Sequence, residues 1–517
     1  MKEGFRQAMA WLHTWLGLTF GWLLFAIFLT GTLSYFKEEL SRWAHPEVPV
    51  RALDTRAALG HAQAFLQQHA ATAPSWFVMP PDERQPALEV MWQQPAEKGR
   101  GFVSKLLDPE TGQLVNTRES RGGDFFFRFH YELELGYPWG RWLASLAALA
   151  MLVTLVSGII THKKLFKEFF TFRPGKGQRS WLDGHNLVGV LVLPYHLVIT
   201  YSGLVIFMAM LLPASFTTVY KGGASQFYQE VFPNAFAPAA QGEPAPQVPL
   251  TALYDAAVAQ WPQARFSRVE VQHPGDKGAR VVFYRHGGDR IAYLPGASLA
   301  FSAVTGQPLG TTVPGTGALL VGGGFYGLHM GQFASPLERW LYFIFGLAGT
   351  GMIGTGLVLW LTKRQLKHAR EPRPPFGLRL VATLNLAGMA GLVVAVGAYL
   401  CANRLLPPQL ADRSAWEVRI FFLAWLAGLI HAALRHKREG WVDQLGLAAL
   451  LYLVAPLSGL FTTERGLPMA LAQGDWATAG VDLSLLLCAL VFGWLAHKLA
   501  ARGTTQAMPA RAARVAL

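Results

Sequence analysis

Eight stretches of this chain are long and apolar enough to cross a lipid bilayer. A transmembrane helix needs about 20 mainly apolar residues. The whole 517-residue chain is 52% hydrophobic and only 15% charged, which exceeds the apolar content that a soluble core requires. The sequence therefore predicts a polytopic α-helical membrane protein with about eight transmembrane helices in the lipid bilayer, at 10–36, 139–161, 186–212, 338–361, 376–402, 415–434, 441–462 and 478–500.

Basic residues are concentrated in two short loops between these spans. Such loops stay on the cytoplasmic side of a membrane, which places both termini in the cytoplasm. We interpret the first span as an uncleaved anchor, because its apolar run is longer than that of a signal peptide and no A-x-A cleavage site follows. This topology accounts for the formal charge of +13, so no nucleic-acid partner is needed to explain it. The residues concerned are Lys163, Lys164, Lys167, Arg173, Lys176 and Arg179 in one loop, and Lys363, Arg364, Lys367, Arg370 and Arg373 in the other.

Two large polar insertions lie outside the membrane in this topology. Strand-like runs among Gly, Pro and Asp residues predict a small α+β domain in each insertion. The chain then divides into a first span (1–36), a first outer domain (37–129), spans two and three with the basic loop (130–212), a second outer domain (213–335), span four (336–365), and a C-terminal four-helix membrane region of unknown role (366–517).

The first 365 residues form one unit that occurs twice, and each copy carries histidines at matched positions. His13 opens span one and His185 opens span three, each with a glycine eighteen residues later (Gly31 and Gly203). His130 and His329 precede spans two and four. An imidazole in a bilayer is costly and usually functional. Several at equivalent depths indicate axial ligands of haem and electron transfer through the membrane.

The predicted topology pairs these histidines by depth. His13 and His185 lie near the cytoplasmic face, and His130 and His329 near the opposite face. A bis-imidazole haem takes one ligand from each of two facing helices, so the pattern predicts two haems. His196 lies eleven residues beyond His185 on nearly the same helix face, about 16 Å further along. It is an alternative ligand for the outer haem with either His130 or His329, and the choice stays open at this point.

Other motifs restrict which type of haem and which electron donor the protein uses. Cys401 and Cys488 lie in apolar segments without a C-x-x-C motif, which excludes covalent haem and leaves b-type haem. The run 322–327 fits G-x-G-x-x-G but lacks a strand–turn–helix context, so the electron donor is a membrane quinol or a separate cytoplasmic protein. His162 fits an interfacial residue, and no repeat supports His431 or His497 as ligands.

Several of these motifs resemble a known family. The turn DPETGQL at 108–114, the span openings HTWLGL and HNLVGV, and the His-bearing lead-ins to spans two and four are similar to the PepSY-associated transmembrane family, over about residues 1–365. That family contains iron-regulated inner-membrane proteins, including ferric-siderophore reductases. The resemblance implies two periplasmic PepSY-like domains on a haem-bearing membrane core in the bacterial inner membrane. It also implies electron transfer to a ferric siderophore, with release of Fe(II).

A second reading of the same family remains open. The chain is then a haem-free membrane protein whose outer domains bind a peptide, a protease or a transporter while the helices act as anchors. A visible spectrum of the purified protein separates the two readings.

Overall fold

The computed structural model describes residues 3–51, 53–94, 101–162, 172–293, 296–313, 317–373 and 375–507. The basic residues Lys163, Lys164 and Lys167 of the predicted cytoplasmic loop lie outside these ranges. The chain divides into two compact units. The helical unit comprises Met1–Pro46, Arg118–Thr200 and Trp340–Leu517, and the sheet unit comprises Glu47–Thr117 and Tyr201–Arg339.

Most of the described chain is helical. The helices are α1 (Glu3–Ser34), α2 (Lys37–Ala44), α3 (Thr55–His69), α4 (Asp124–Glu132), α5 (Trp139–Thr161), α6 (Gln178–Leu191), α7 (Leu193–Ile206), α8 (Met208–Leu211), α9 (Pro213–Thr217), α10 (Gly223–Val231), α11 (Leu250–Gln260), α12 (Gly317–Met330), α13 (Pro336–Lys367), α14 (Phe376–Asn385), α15 (Leu392–Leu405), α16 (Arg413–Leu434), α17 (Arg438–Thr462), α18 (Leu467–Ala472) and α19 (Trp476–Ala507). The strands are β1 (Ser75–Met79), β2 (Leu88–Gln93), β3 (Phe102–Leu107), β4 (Phe266–Gln272), β5 (Arg280–Arg285), β6 (Ser298–Ser302) and β7 (Pro308–Thr312). A π-helical turn, Leu386–Gly391, joins α14 to α15.

Within the described ranges, seven helices are long and apolar enough to cross a membrane, which confirms the predicted class of polytopic helical membrane protein. The third predicted span, 186–212, is instead a broken pair in which α6 and α7 meet at a bend of 68°. Pro194 lies in the first turn of α7. Proline has no N–H to donate and its ring clashes with the carbonyl four residues earlier, so the helix breaks before it. Counting the bent pair as one span gives eight.

The C-terminal spans pack against the N-terminal part of the helical unit through aromatic side chains. Phe125 of α4 stacks on Tyr399 of α15 with ring centroids 4.6 Å apart, and meets Phe421 of α16 edge-on at 4.9 Å. All three rings are fully buried. Residues 366–517, to which the sequence assigned no role, therefore supply part of the core that supports the duplicated spans.

A buried ion pair lies beside this aromatic cluster. Arg413 and Glu417 are one helical turn apart on α16, have fully buried side chains, and approach to 2.5 Å. Glu417 also accepts hydrogen bonds from Asn403 Nδ2 (2.9 Å) and Ser120 Oγ (2.7 Å). These bonds fix the segment before α4 to the ends of α15 and α16, because a buried carboxylate is tolerated only when its oxygens are paired.

The strands of both insertions form one sheet. Its seven strands are antiparallel in the order β3-β2-β1-β4-β5-β6-β7. β1 of the first insertion pairs with β4 of the second, with Trp76 opposite Val271 and Val78 opposite Val269. From the sequence we predicted one separate α+β domain in each insertion. The structure joins their strands instead, because each insertion alone would leave an unpaired apolar edge strand, β1 or β4.

The two halves of the sheet repeat each other in detail. Helices α3 and α11 precede β1 and β4 respectively and pack over the same buried face, where their apolar residues meet alternating side chains of the strands. The turns after β3 and β6 match as well. Gly112 and Gly306 take positive φ angles of 70° and 74°, and each donates its N–H to the residue four positions earlier, Asp108 or Ser302. The duplication predicted from sequence thus extends to the sheet unit.

Candidate functional site

His13 and His185 occupy equivalent positions in the two halves of the helical unit. Nδ1–H of His13 donates to the carbonyl oxygen of Thr154 (2.9 Å), and Nδ1–H of His185 donates to that of Met352 (2.8 Å). A carbonyl can only accept, so both neutral rings carry the proton on Nδ1 and keep the lone pair on Nε2. Histidines that ligate a metal are commonly oriented by such a bond from their other ring nitrogen.

A glycine one helical turn beyond each carbonyl makes room for the imidazole. A methyl group at Gly158 would lie 3.0 Å from Cε1 of His13, and one at Gly356 would lie 3.1 Å from Cε1 of His185. Gly158 and Gly356 therefore admit the two rings, because a larger side chain at either position would press on the ring that the carbonyl holds.

The two imidazoles, one from each half, lie close together. Their ring centroids are 6.2 Å apart and their planes are inclined by 74°. A metal–nitrogen bond of about 2.0 Å on each side, with about 1.1 Å from nitrogen to ring centre, separates two axial imidazole centroids by about 6.2 Å. The predicted inner pair therefore has the spacing of two ligands on opposite sides of one iron.

A cavity of about 740 Å³ surrounds this pair within the helical unit. Its volume falls in the range typical of cofactor pockets, and its walls are mainly apolar. Gly17 and Gly189, each four residues after its histidine, lie at equivalent places in the lining. One end is cationic, with Lys363, Arg364 and Lys367 among the lining residues.

His130 shows the same mode of support as the inner pair. Its Nδ1–H donates to the carbonyl oxygen of Ile27 (2.8 Å). A methyl group at Gly31, one turn beyond that carbonyl, would lie 2.5 Å from Nδ1 of the ring. Gly31 is the glycine eighteen residues after His13, so α1 carries one histidine in its first half and contacts another, His130, near its C-terminal end.

In the sheet unit, His329 on α12 lies against the matching glycine of α7. Its Nδ1 is 2.9 Å from Oγ of Ser202, and a methyl group at Gly203 would lie 3.2 Å from its Cε1. Gly203 is the glycine eighteen residues after His185. The pairing of His130 with His329 stays a prediction.

His196 is fully buried in α7, two residues after Pro194. Its ring nitrogens make no well-formed hydrogen bond in the described part of the chain, where the Val188 backbone offers at most a weak one. The ring lies edge-on to Phe28 at 6.4 Å, and a methyl group at Gly349 would lie 3.2 Å from its Cε1. The eleventh residue after His13, the equivalent position in the first half, is Leu24, so the duplication does not repeat this histidine.

Comparison with known proteins identifies the family of this chain. The model for the PepSY-associated TM region matches residues 10–363, about two thirds of the chain. The protein belongs to the PepSY-associated transmembrane family. An uncharacterized protein of Pseudomonas aeruginosa is 26% identical to it over 413 residues, which cover 73% of this chain and 96% of that relative. The family assignment therefore rests on the duplicated region that carries the histidines.

The donor set of this PepSY-associated protein differs from that of an ordinary metal site. Across the described ranges, no group of three or more His, Cys, Asp or Glu side chains could hold a metal ion. Two imidazoles are too few for a structural zinc ion, which takes four protein ligands. They are the number that haem iron takes from protein, since the porphyrin supplies four nitrogens.

Three other histidines that the sequence singled out, His431, His497 and His162, have different surroundings from those of the inner pair. Nε2 of His431 lies 3.1 Å from Asp443 Oδ2, and its Nδ1 lies 3.2 Å from Gln444 Nε2, so both nitrogens have partners. His497 is exposed on α19. His162 lines the cavity of the inner pair, although its sequence context indicated an interfacial residue. The G-x-G-x-x-G run lies inside helix α12, where it forms no phosphate-binding turn.

Proposed function

We propose that this PepSY-associated protein is a b-type haem oxidoreductase of the bacterial inner membrane. It takes electrons from a membrane quinol or a cytoplasmic donor and reduces a ferric siderophore on the periplasmic side, releasing Fe(II). Both termini lie in the cytoplasm in this arrangement, and the sheet unit lies in the periplasm. The single observation that carries the proposal is the 6.2 Å separation of the His13 and His185 rings.

The support around these two rings favours haem ligation. Each Nδ1 is held by a backbone carbonyl, which leaves Nε2 as the ligating nitrogen in both halves. Gly158 and Gly356 leave the space that the rings need. A structural role for two histidines would not require both tautomers to be fixed in the same sense, nor the rings to lie at this distance across a cavity of about 740 Å³.

The cationic end of the cavity also suits haem b. Haem b carries two carboxylates, and Lys363, Arg364 and Lys367 line one end of the pocket. The Arg364 guanidinium lies over the Trp360 ring at 3.8 Å, which holds its charge near the lining. These residues would bind the carboxylates at the end of the cavity that the topology assigns to the cytoplasm.

An outer haem would use His130 with His329, the pair that the duplication relates. His196 is the alternative ligand with either of them. His130 and His329 each lie against the glycine eighteen residues after a histidine of the inner pair, which supports the symmetric choice. The ring nitrogens of His196, which make no well-formed hydrogen bond among the described residues, support the alternative.

When bound, haem supplies one-electron transfer between its ferric and ferrous states. The chain contributes fixed imidazole tautomers, an apolar surround that excludes water, and a path from one face of the membrane to the other. One electron converts siderophore-bound Fe(III) into Fe(II). Hard oxygen donors hold Fe(II) less well because its charge is lower, so the iron is released.

The test is a reduced-minus-oxidised visible spectrum of the purified protein after expression with ample haem. We expect an α-band typical of b-type haem in the spectrum. A pyridine haemochrome assay should find two haems per chain. Adding a ferric siderophore to the reduced protein should restore the oxidised spectrum while Fe(II) appears in a ferrous-specific chelator assay. A colourless protein would contradict the proposal and favour the haem-free binding role.

A further inference from the structure

The sheet unit contains a second cavity, of about 460 Å³, with no part in the histidine sites described above. It lies where β5 and the chain leading into β6 meet α11 and α12. Six of its lining residues are chemically informative. They are Trp261, Arg285, His286, Arg290, Tyr293 and Leu320.

The cavity has an excess of positive charge. Arg290 is exposed and forms no ion pair within the described ranges. Asp289 is the nearest carboxylate in sequence, but it is buried and shared between Arg265 (3.0 Å) and Arg285 (3.3 Å). His286 faces Asp82 at 3.6 Å and so can share one negative charge when protonated. Two arginines thus divide one carboxylate, and Arg290 adds an unshared charge that would attract an anion.

Aromatic and apolar groups line the same cavity. The Arg285 guanidinium lies over the Trp261 ring at 5.7 Å, which combines a cation and a flat π surface in one wall. Tyr293 contributes a second ring, and Leu320 and Val313 are 46% and 53% exposed at its border. Flat apolar walls with a few convergent cations are typical of a site for an anionic aromatic ligand.

This cavity is joined to the helix that carries His329. The N–H of Tyr293 donates to the carbonyl oxygen of Gly323 on α12 (3.1 Å), and the Tyr293 and Tyr326 rings lie 5.5 Å apart. Leu320 lines the cavity nine residues before His329 on the same helix, a rise of about 13.5 Å. A ligand in the cavity would therefore contact the same helix that carries a candidate haem ligand, about 13.5 Å before it along the helix axis.

We propose that this cavity binds the ferric chelate that accepts the electrons, and that it selects anionic chelates with aromatic oxygen donors. Ferric tris-catecholates combine a net negative charge with flat rings, which suits Arg290, Arg285 and Trp261. Ferric trihydroxamates lack both features and should bind weakly. The description of the ligand as the electron acceptor rests on the proposed function. The binding site itself does not depend on haem.

The test measures binding with redox-inert gallium analogues, so that no electron transfer is involved. Full-length protein is titrated calorimetrically with gallium tris-catecholate and with a gallium trihydroxamate. We expect clear preference for the catecholate. Arg290→Ala should weaken catecholate binding about tenfold, since a hydrogen bond to a charged group contributes about 1.5 kcal/mol or more. Trp261→Leu should weaken it similarly.

The matched control is Lys105→Ala. Lys105 is also exposed, lies on β3 at the far end of the same sheet, and carries the same charge. Equal affinity for both chelates, or equal effects of Arg290→Ala and Lys105→Ala, would overturn the inference. A protein that binds the catecholate in this way but contains no haem would overturn the proposed function and leave this binding site standing.

Discussion

The imidazole rings of His13 and His185 lie 6.2 Å apart, and each is held through Nδ1 by a backbone carbonyl of the neighbouring span in its own half of the duplication. The two carbonyls, of Thr154 and Met352, each lie four residues before the glycine that leaves room for the ring. The same arrangement of a histidine, a backbone carbonyl and a glycine thus occurs twice, and both histidines line one cavity. This arrangement is the basis of the proposed haem site.

Gly31→Ala should disturb the support of His130. The added methyl group would lie 2.5 Å from Nδ1 of His130, which is too close for the ring to remain where it is. We expect the variant to lose most of the outer haem while keeping the inner one, measured as haem per chain and by redox titration. Gly351→Ala is the control, because nothing lies within 4 Å of its added methyl group. Equal haem content in the two variants would contradict this role of Gly31.

His196→Leu tests the alternative assignment of the outer ligand. The equivalent residue in the first half is Leu24, so the symmetric pairing of His130 with His329 does not need His196. We expect haem content to stay at the wild-type value. The melting temperature should be unchanged or higher, because the substitution removes a buried imidazole that is at most weakly hydrogen-bonded, to the Val188 backbone, among the described residues. Loss of one haem equivalent would instead identify His196 as a ligand.

The Arg413–Glu417 pair should be important for stability rather than for electron transfer. Removing one partner of a buried ion pair leaves an uncompensated charge and costs about 3–5 kcal/mol, so Glu417→Ala should sharply lower the melting temperature in detergent. Arg419→Ala is the control, because Arg419 lies over the Trp416 ring rather than in the buried pair. Similar melting temperatures for the two variants would show that the buried pair contributes little.

The turn after β3 should make the sheet unit sensitive to acid. Burial of the Asp108 carboxylate opposes ionisation, but the Glu110 amide and the Arg51 guanidinium outweigh it and hold the pKa of Asp108 below its usual value. Its contribution to stability is therefore complete above the unfolded pKa of about 3.9 and is lost as the pH falls through the lower folded value.

The experiment compares wild type with Asp108→Asn by chemical unfolding at pH 7 and pH 3. At pH 7 we expect the wild type to be more stable by about 1–2 kcal/mol, and the difference should shrink at pH 3. A difference that does not change with pH would show that the ionised carboxylate is not what stabilises the turn.

Much of the helical architecture could be predicted because bilayer spans and duplication leave direct marks in sequence. The positions of His13 and His185 at equivalent span openings already implied their meeting. The contact of each histidine with a glycine of the neighbouring span could not be read in the same way. That contact depends on the relative position of α1 and α5 along their axes, and small residues alone do not determine this position.

Two features departed from the sequence interpretation for identifiable reasons. The joining of β1 to β4 depends on a long-range edge pairing that local strand patterns do not encode. The bend in the third predicted span was encoded locally, because Pro194 cannot lie in the interior of an unbroken helix.

The most direct test of the account is the haem content and visible spectrum of His13→Ala and His185→Ala, compared with His431→Ala. His431 is a suitable control because Asp443 and Gln444 occupy both of its ring nitrogens. We expect each of the first two variants to lose the same single haem equivalent, the double variant to lose no more, and His431→Ala to keep the full content. Full haem content in His13→Ala or His185→Ala would contradict the proposed inner site.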